Sequence, residues 1–143
     1  TSNKGSQDIQ EILINRDLKC YEHLAYILKP IIEKNNGELG LSSIGIVSGA
    51  TYKEQAISLR KILPSAPFLI PGYGAQGATA SEASAPLIID KSFPGLMNFG
   101  LINASRSVLF PQNSYLVNNI KEWQDVILTE LDQTNDELIN IQM

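Results

Sequence analysis

Phe68-Leu69-Ile70-Pro71-Gly72-Tyr73-Gly74-Ala75-Gln76-Gly77 begins as an unbroken apolar run and ends in glycines around one amide side chain. Phe68 to Ile70 show no polar alternation, as expected of a parallel strand covered on both faces. Pro71 removes a ladder donor and fixes φ, which ends the strand. The glycines beyond it permit positive φ and a close backbone approach to a ligand, and such a turn can aim N–H groups at an anion. Gln76 is the long polar side chain within it, offering both a carbonyl and an NH2 group. The same residues also suit a merely tight strand-to-helix turn.

A second stretch has the same layout. In Gly100-Leu-Ile-Asn-Ala-Ser-Arg-Ser-Val-Leu-Phe-Pro111, an apolar strand passes through a small polar turn into an apolar run that can open a helix. Ser105 and Ser107 suit a helix N-terminus, and Arg106 between them carries a fork able to hold two oxygens of a phosphate. An isolated arginine after a strand is by itself a common surface residue. Two successive strand ends with phosphate chemistry point more firmly to a ligand site.

Four stretches together carry a family resemblance: Thr1-Ser-Asn-Lys-Gly-Ser6, Ser48-Gly-Ala-Thr51, Phe68 to Gly77, and Ile102-Asn-Ala-Ser-Arg106. In order and spacing they resemble the C-terminal half of the orotidine 5′-phosphate decarboxylase family. The bacterial-type branch is the nearest in pattern, where the stretches typically read TSN-x-GS, VGAT, PG-x-GAQGG and N-S-S-R. Ser48 replaces a valine of that pattern, Ala78 a second glycine after Gln76, and Ala104 a serine before Arg106. None of the three removes a side chain expected to touch a ligand.

The resemblance implies an α/β fold, a TIM (β/α)8 barrel, of which this chain is the C-terminal half, about strands six to eight with their helices. Residues 1–143 are then the C-terminal portion of a single barrel domain whose N-terminal half is absent, since Thr1 to Ser6 falls where the family's fifth strand ends. The implied reaction removes CO2 from orotidine 5′-phosphate to give uridine 5′-phosphate, in pyrimidine biosynthesis and without a cofactor. The implied substrate-binding residues are Ser2 at the pyrimidine edge, Gln76 between phosphate and base, and Arg106, Gly74, Ala75 and Ser105 around the phosphate. The family's catalytic lysine and aspartates belong upstream, so no catalytic residue is expected in this chain. The implied partners are the substrate and product, the missing half of the barrel, and a second copy in a homodimer.

Bulk properties agree with a globular protein. The chain has 143 residues, 43% hydrophobic and 18% charged, which suits a packed core rather than disorder. A formal charge of −4 with scattered Lys and Arg argues against a nucleic-acid surface, which needs a basic stripe. The single cysteine, Cys20, reads as a packed small side chain in a reducing compartment, and His23 as a helix or surface residue. Neither has the neighbours of a metal site. No signal-peptide pattern or membrane-length apolar run stands out, so the cytoplasm is the expected location.

Taken in order, Leu18, Tyr21, Leu24, Ala25, Leu28, Ile31 and Ile32 recur at three and four, predicting an amphipathic helix between Asp17 and Lys34. Pro30 is expected to kink or interrupt it, and Asn35-Asn36-Gly37 to stop it. Asp17, Lys19 and Glu22 nearly match the D-x-K-x-x-D spacing of the family's catalytic cluster. Their place in a helix, downstream of the Thr1 to Ser6 motif, reads as a solvated helical face instead. Ser43 to Ser48 predicts a strand. Tyr52 to Leu63 predicts a helix with Ala56, Leu59, Ile62 and Leu63 inward, capped by Thr51 with Glu54.

Gly77 to Phe99 reads as a loop with a short helix over Ser81 to Asp90, and the resemblance implies that this loop can fold over the phosphate. Asn118 to Leu138 predicts a closing helix with Ile120, Trp123, Val126, Ile127, Leu131 and Leu138 on one face, and Asn135 to Met143 a frayed end. Strand, helix, strand, helix with unusual residues at strand ends is the pattern of a parallel barrel. Gly72-x-Gly74-x-x-Gly77 formally matches a dinucleotide fingerprint, but it follows a strand ending in proline, with only Asp90 near the expected acidic position. Another phosphate-binding barrel acting on a sugar phosphate, or a fragment without chemistry of its own, remain the alternatives. Gln76 and Ser2 favour a nucleotide, because base contacts have no purpose with a sugar phosphate.

Overall fold

A computed structural model describes residues 3–89 and 97–141. A 3-10 turn, Lys4–Ser6, leads into α1 (Gln7–Gln10), and β1 (Leu13–Asn15) pairs antiparallel with β2 (Leu18–Lys19). Then follow α2 (Cys20–Lys34), β3 (Ile46–Val47), α3 (Lys53–Ile62), β4 (Phe68–Pro71) and α4 (Ala80–Ser84). The chain continues through β5 (Ile88–Ile89), β6 (Met97–Asn98), β7 (Gly100–Asn103), α5 (Arg106–Leu109) and α6 (Ile120–Asn140).

The centre is a parallel sheet of order β3-β4-β7, with Ile46 opposite Phe68 and Phe68 opposite Gly100. Phe68 and Ile70 are fully buried and pack with Ala25 and Ile32 of α2 and Ile62 and Leu63 at the end of α3. The helices therefore cover one face of the sheet. The other face is bare: Val47, Leu69 and Leu101, in register across all three strands, are 60%, 44% and 73% exposed. The expectation that β4 is covered on both faces is thus corrected. Side chains alternate across a strand, and among the described residues only the even-numbered side of β4 has helices packed on it.

The helices match the pattern of apolar spacing with four corrections. First, α2 begins at Cys20, because Leu18 and Lys19 are drawn into the β1–β2 hairpin, and it runs through Pro30 without interruption to its C-cap at Asn35. The carbonyl of Tyr26, which loses its donor to the proline, lies on an exposed turn where water can serve it. Leu24, Leu28 and Ile31 of the expected inner face are exposed, whereas Tyr21, Ala25 and Ile32 are buried. Second, α3 is capped at Tyr52 rather than Thr51, with no side-chain cap hydrogen bond.

Third, α4 ends at Ser84 instead of reaching Asp90. Pro86 has no N–H to continue the helical ladder, and Ile88 and Ile89 then pair antiparallel with Asn98 and Met97. Asp90 and residues 91–96 lie outside the described residues, and with them part of the segment expected to fold over a phosphate. Fourth, α6 continues to Asn140 rather than fraying from Asn135, and Ile120 and Leu131 are exposed. Asn119 starts it by accepting from the Glu122 N–H at 2.9 Å.

Candidate functional site

The sheet register places the two glycine- and arginine-bearing turns side by side. Pro71, the last residue of β4, lies opposite Asn103, the last of β7, so the chain leaves neighbouring strands at the same C-terminal edge. The end of β3 joins them there, since the N–H groups of Ser48 and Ala50 donate to Leu69 and Pro71 carbonyls at 2.9 and 2.8 Å.

The turn after β4 is stapled to itself. The N–H of Ala78 donates to Gly72 at 3.2 Å, that of Gly74 to Ala78 at 3.1 Å, and that of Gly77 to Gly74 at 2.8 Å. Positive φ at Gly72, Gly74 and Gly77 makes this closure possible. The Gly74 N–H is therefore used internally. Gly74 instead lets the turn lie against the start of α5, where its missing side chain would collide with Ser107. Ala75 and Gln76 form the exposed tip.

Arg106 opens α5 directly after β7, and Ser105 is its N-cap, with a hydroxyl that donates to Asn103 Oδ1 at 3.3 Å rather than capping the helix. Arg106 and Gln76 are both exposed, and neither side chain has a hydrogen-bond partner among the described residues. Five of the six expected contact residues, Gly74, Ala75, Gln76, Ser105 and Arg106, thus occupy two adjacent turns. Ser2 lies outside the described residues.

Two nearby features escaped the sequence reading. Tyr73, 7% exposed, donates its phenol hydrogen to Glu137 of α6 at 2.6 Å. Burial first, and then that hydrogen bond, push the phenol up to about 12. Thr79 caps α4 in a full capping box with Glu82, at 3.2 Å and 2.7 Å. The Thr79-Ala-Ser-Glu82 pattern was legible as such a box; nothing local announces a bond between residues 73 and 137.

At the opposite edge of the sheet, Arg60 serves as a structural hub. Its guanidinium donates to the carbonyls of Pro86, Leu63, Pro64, Ala66 and Phe99 at 2.7–3.2 Å. It also stacks 3.8 Å from the centre of the Phe68 ring. Burial lowers its pKa to about 10, which leaves it charged at neutral pH, and carbonyl oxygens rather than a carboxylate compensate it.

Asp17, Lys19 and Glu22 do not form a catalytic cluster, nor one face of a helix. Asp17 is in the turn between β1 and β2, and Lys19 ends β2. The Lys19 ammonium pairs with Glu11 at 2.6 Å, while Glu22 caps α2 through the Lys19 N–H and accepts from Ser58 at 2.8 Å. The Glu11 carboxyl is lowered from its ordinary value by its bond to Lys19 and then by Gln55. Cys20 and His23 are half-buried, and among the described residues no three His, Cys, Asp or Glu side chains gather into a metal-binding group. No helix among them is long and apolar enough to cross a membrane.

No protein-family model matches the chain. Curated proteins do. The chain is 43% identical over 109 residues to the orotidine 5′-phosphate decarboxylase of Clostridium kluyveri, covering 76% of this chain and 35% of that protein. It is 40% identical over 115 residues to the enzyme of that name from Clostridium botulinum, covering 80% and 38%. Among solved structures, an orotidine-monophosphate-decarboxylase from Toxoplasma gondii superposes with a TM-score of 0.65 at 26% identity, over 94% of this chain and 50% of its own. The chain spans about a third of the length of the curated relatives it matches. The motif resemblance therefore holds in both sequence and fold: this chain is a relative of the orotidine 5′-phosphate decarboxylases, mixed α/β proteins of TIM-barrel type.

Proposed function

We propose that this chain is the C-terminal part of an orotidine 5′-phosphate decarboxylase barrel and supplies its grip on the phosphate and base. The observation that carries the reading is the adjacency of two turns at the C-terminal edge of a parallel sheet. One presents Gln76, the other Arg106, with Gly74 laid against Ser107 so that they meet. Ligand sites of parallel barrels lie at this edge, and phosphate sites follow the last strands. Arg106 holds two phosphate oxygens, and the Gln76 amide bridges phosphate and pyrimidine. Ser2 contacts the pyrimidine edge.

The exposed row Val47, Leu69 and Leu101 is the inner face of the barrel, which further strands of the N-terminal half cover. A second apolar stripe on α2, Leu24, Ile27, Leu28 and Ile31, exposed at three- and four-residue spacing, is where a preceding helix of that half packs. The lysine and aspartates that destabilise the substrate carboxylate and protonate the ring carbanion at C6 come from the same half. Phosphate binding here lowers the barrier at that distant carbon by positioning the ring and closing loops around it. The assembled enzyme is a cytoplasmic homodimer.

The test is loss of orotidine 5′-phosphate absorbance with the 143-residue chain alone and with the complementary barrel half added. Activity only with both pieces supports the reading. Robust turnover by a pure 143-residue chain would place a catalytic group within it and overturn the division of labour.

A further inference from the structure

We propose that Tyr73 and Glu137 are positioning residues for the phosphate grip: α6 holds the glycine turn in its binding geometry through the Tyr73 hydroxyl. The inference rests on the function proposed above and concerns how the turn is fixed. Backbone bonds close the turn on itself but give it no attachment to the rest of the fold beyond its strand and helix ends. Its tip, Gly74 to Gly77, is exposed. Tyr73 reaches inward from this turn, and its hydroxyl donates to Glu137, 64 positions away in sequence, with the side chain of Thr134 as a second partner on the same helix.

Packing of the turn against α6 is incomplete: a cavity of about 330 Å³ is lined from both sides, in part by Tyr73, Gly74, Ser107, Glu130, Thr134 and Glu137. The hydrogen bond joins turn and helix at its wall. The Ser107 hydroxyl, buried and without a partner, offers no alternative tether. Because α6 also packs on α4 and on α5, it is the common backing of the turn that carries Gln76 and of the helix that begins with Arg106. The phenol stays protonated far above neutral pH, so the donor is available throughout the working range.

The experiment compares Tyr73→Phe, Glu137→Ala and Glu137→Gln in the complete enzyme carrying this chain. It reads the affinities of uridine 5′-phosphate and uridine, and the exchange of the Gly74, Gly77 and Ala78 amides. Loss of one hydrogen bond to a carboxylate should weaken the nucleotide about tenfold in Tyr73→Phe and Glu137→Ala. The expectation is also that uridine binding holds, kcat changes less than KM, and those amides exchange faster. Glu137→Gln keeps a carbonyl acceptor and should stay near wild type. Unchanged exchange and nucleotide affinity in Tyr73→Phe would overturn the proposal, as would equal losses for nucleotide and nucleoside. If the wild type itself binds no uridine 5′-phosphate, the functional reading fails, while amide exchange still decides whether the bond tethers the turn.

Discussion

Gly74 abuts Ser107: a β-carbon added to Gly74 would stand 2.8 Å from the Ser107 hydroxyl oxygen and 3.1 Å from its β-carbon. The two residues belong to turns that follow different strands, so the contact fixes the distance between the Gln76 turn and the Arg106 turn. Gly74 also has φ +68, a region that costs an L-residue about 1–2 kcal/mol. Gly74→Ala should therefore spread the turns and weaken uridine 5′-phosphate at least about tenfold. Calorimetric titration of the complete enzyme measures this; Gly77→Ala, where an added β-carbon meets nothing within 4 Å, separates backbone strain from collision.

Arg106→Ala should weaken uridine 5′-phosphate by about 3 kcal/mol, the worth of a charge-assisted fork, and leave uridine nearly unaffected. Equal losses for both ligands would remove Arg106 from the phosphate site. Gln76→Ala should reduce both affinity and turnover, since the amide is assigned to phosphate and base together. If neither changes, Gln76 is only the tip of a turn.

What could be read in the sequence was local. The apolar runs of β4 and β7, the inward residues of α3 and the polar residues at strand ends follow from spacing and from the chemistry of Gly, Pro and Ser. Arg60 could not be read in this way. A cation between Leu59 and Lys61 looks like one more surface charge, and its five carbonyl partners come together only when the loops before β4 and β7 converge. The bond from Tyr73 to Glu137 is invisible for the same reason. The bare face of β4 is a different case: an unbroken apolar run cannot tell whether both covering layers lie in the same piece of chain.

Replacing Arg60 tests that hub. Arg60→Leu preserves some packing on Phe68 but strands the buried carbonyls of Ala66 and Pro86, while that of Phe99 keeps the Phe68 N–H at 2.8 Å. Each buried carbonyl left unpaired costs about 1–3 kcal/mol, so a loss of about 3–5 kcal/mol of stability is expected. The denaturant midpoint should fall without a selective effect on phosphate affinity. A change under about 1 kcal/mol would mean that water replaces the guanidinium.

The alkaline limb of stability should report Tyr73. Its folded pKa, raised to about 12 from 10.0, means that the neutral phenol is favoured by folding. That contribution is complete below pH 10 and is lost as pH climbs toward about 12. Burial also raises the Tyr21 phenol, so phenolate absorbance should show a late-titrating component that shrinks in Tyr73→Phe, and the variant's stability should fall less steeply over that window. A Tyr73 that ionises near its ordinary value would contradict the buried bond to Glu137.

Leu101 distinguishes a surface from an interior that awaits its other side. It is 73% exposed in this chain and lies in register with Leu69 on the bare face of the sheet. For the chain alone, Leu101→Glu removes apolar area from water-facing sheet and should reduce self-association, seen by sedimentation at matched concentration. In the assembled barrel the same carboxylate would be buried without a partner, costing several kcal/mol. It should therefore block assembly with the complementary half and abolish the restored decarboxylation. Leu109→Glu, 45% exposed on α5 rather than on a strand of the sheet, serves as the control for added charge. If Leu101→Glu assembles and turns over like wild type, this face of the sheet is an outer surface, and the barrel must close somewhere other than across Val47, Leu69 and Leu101.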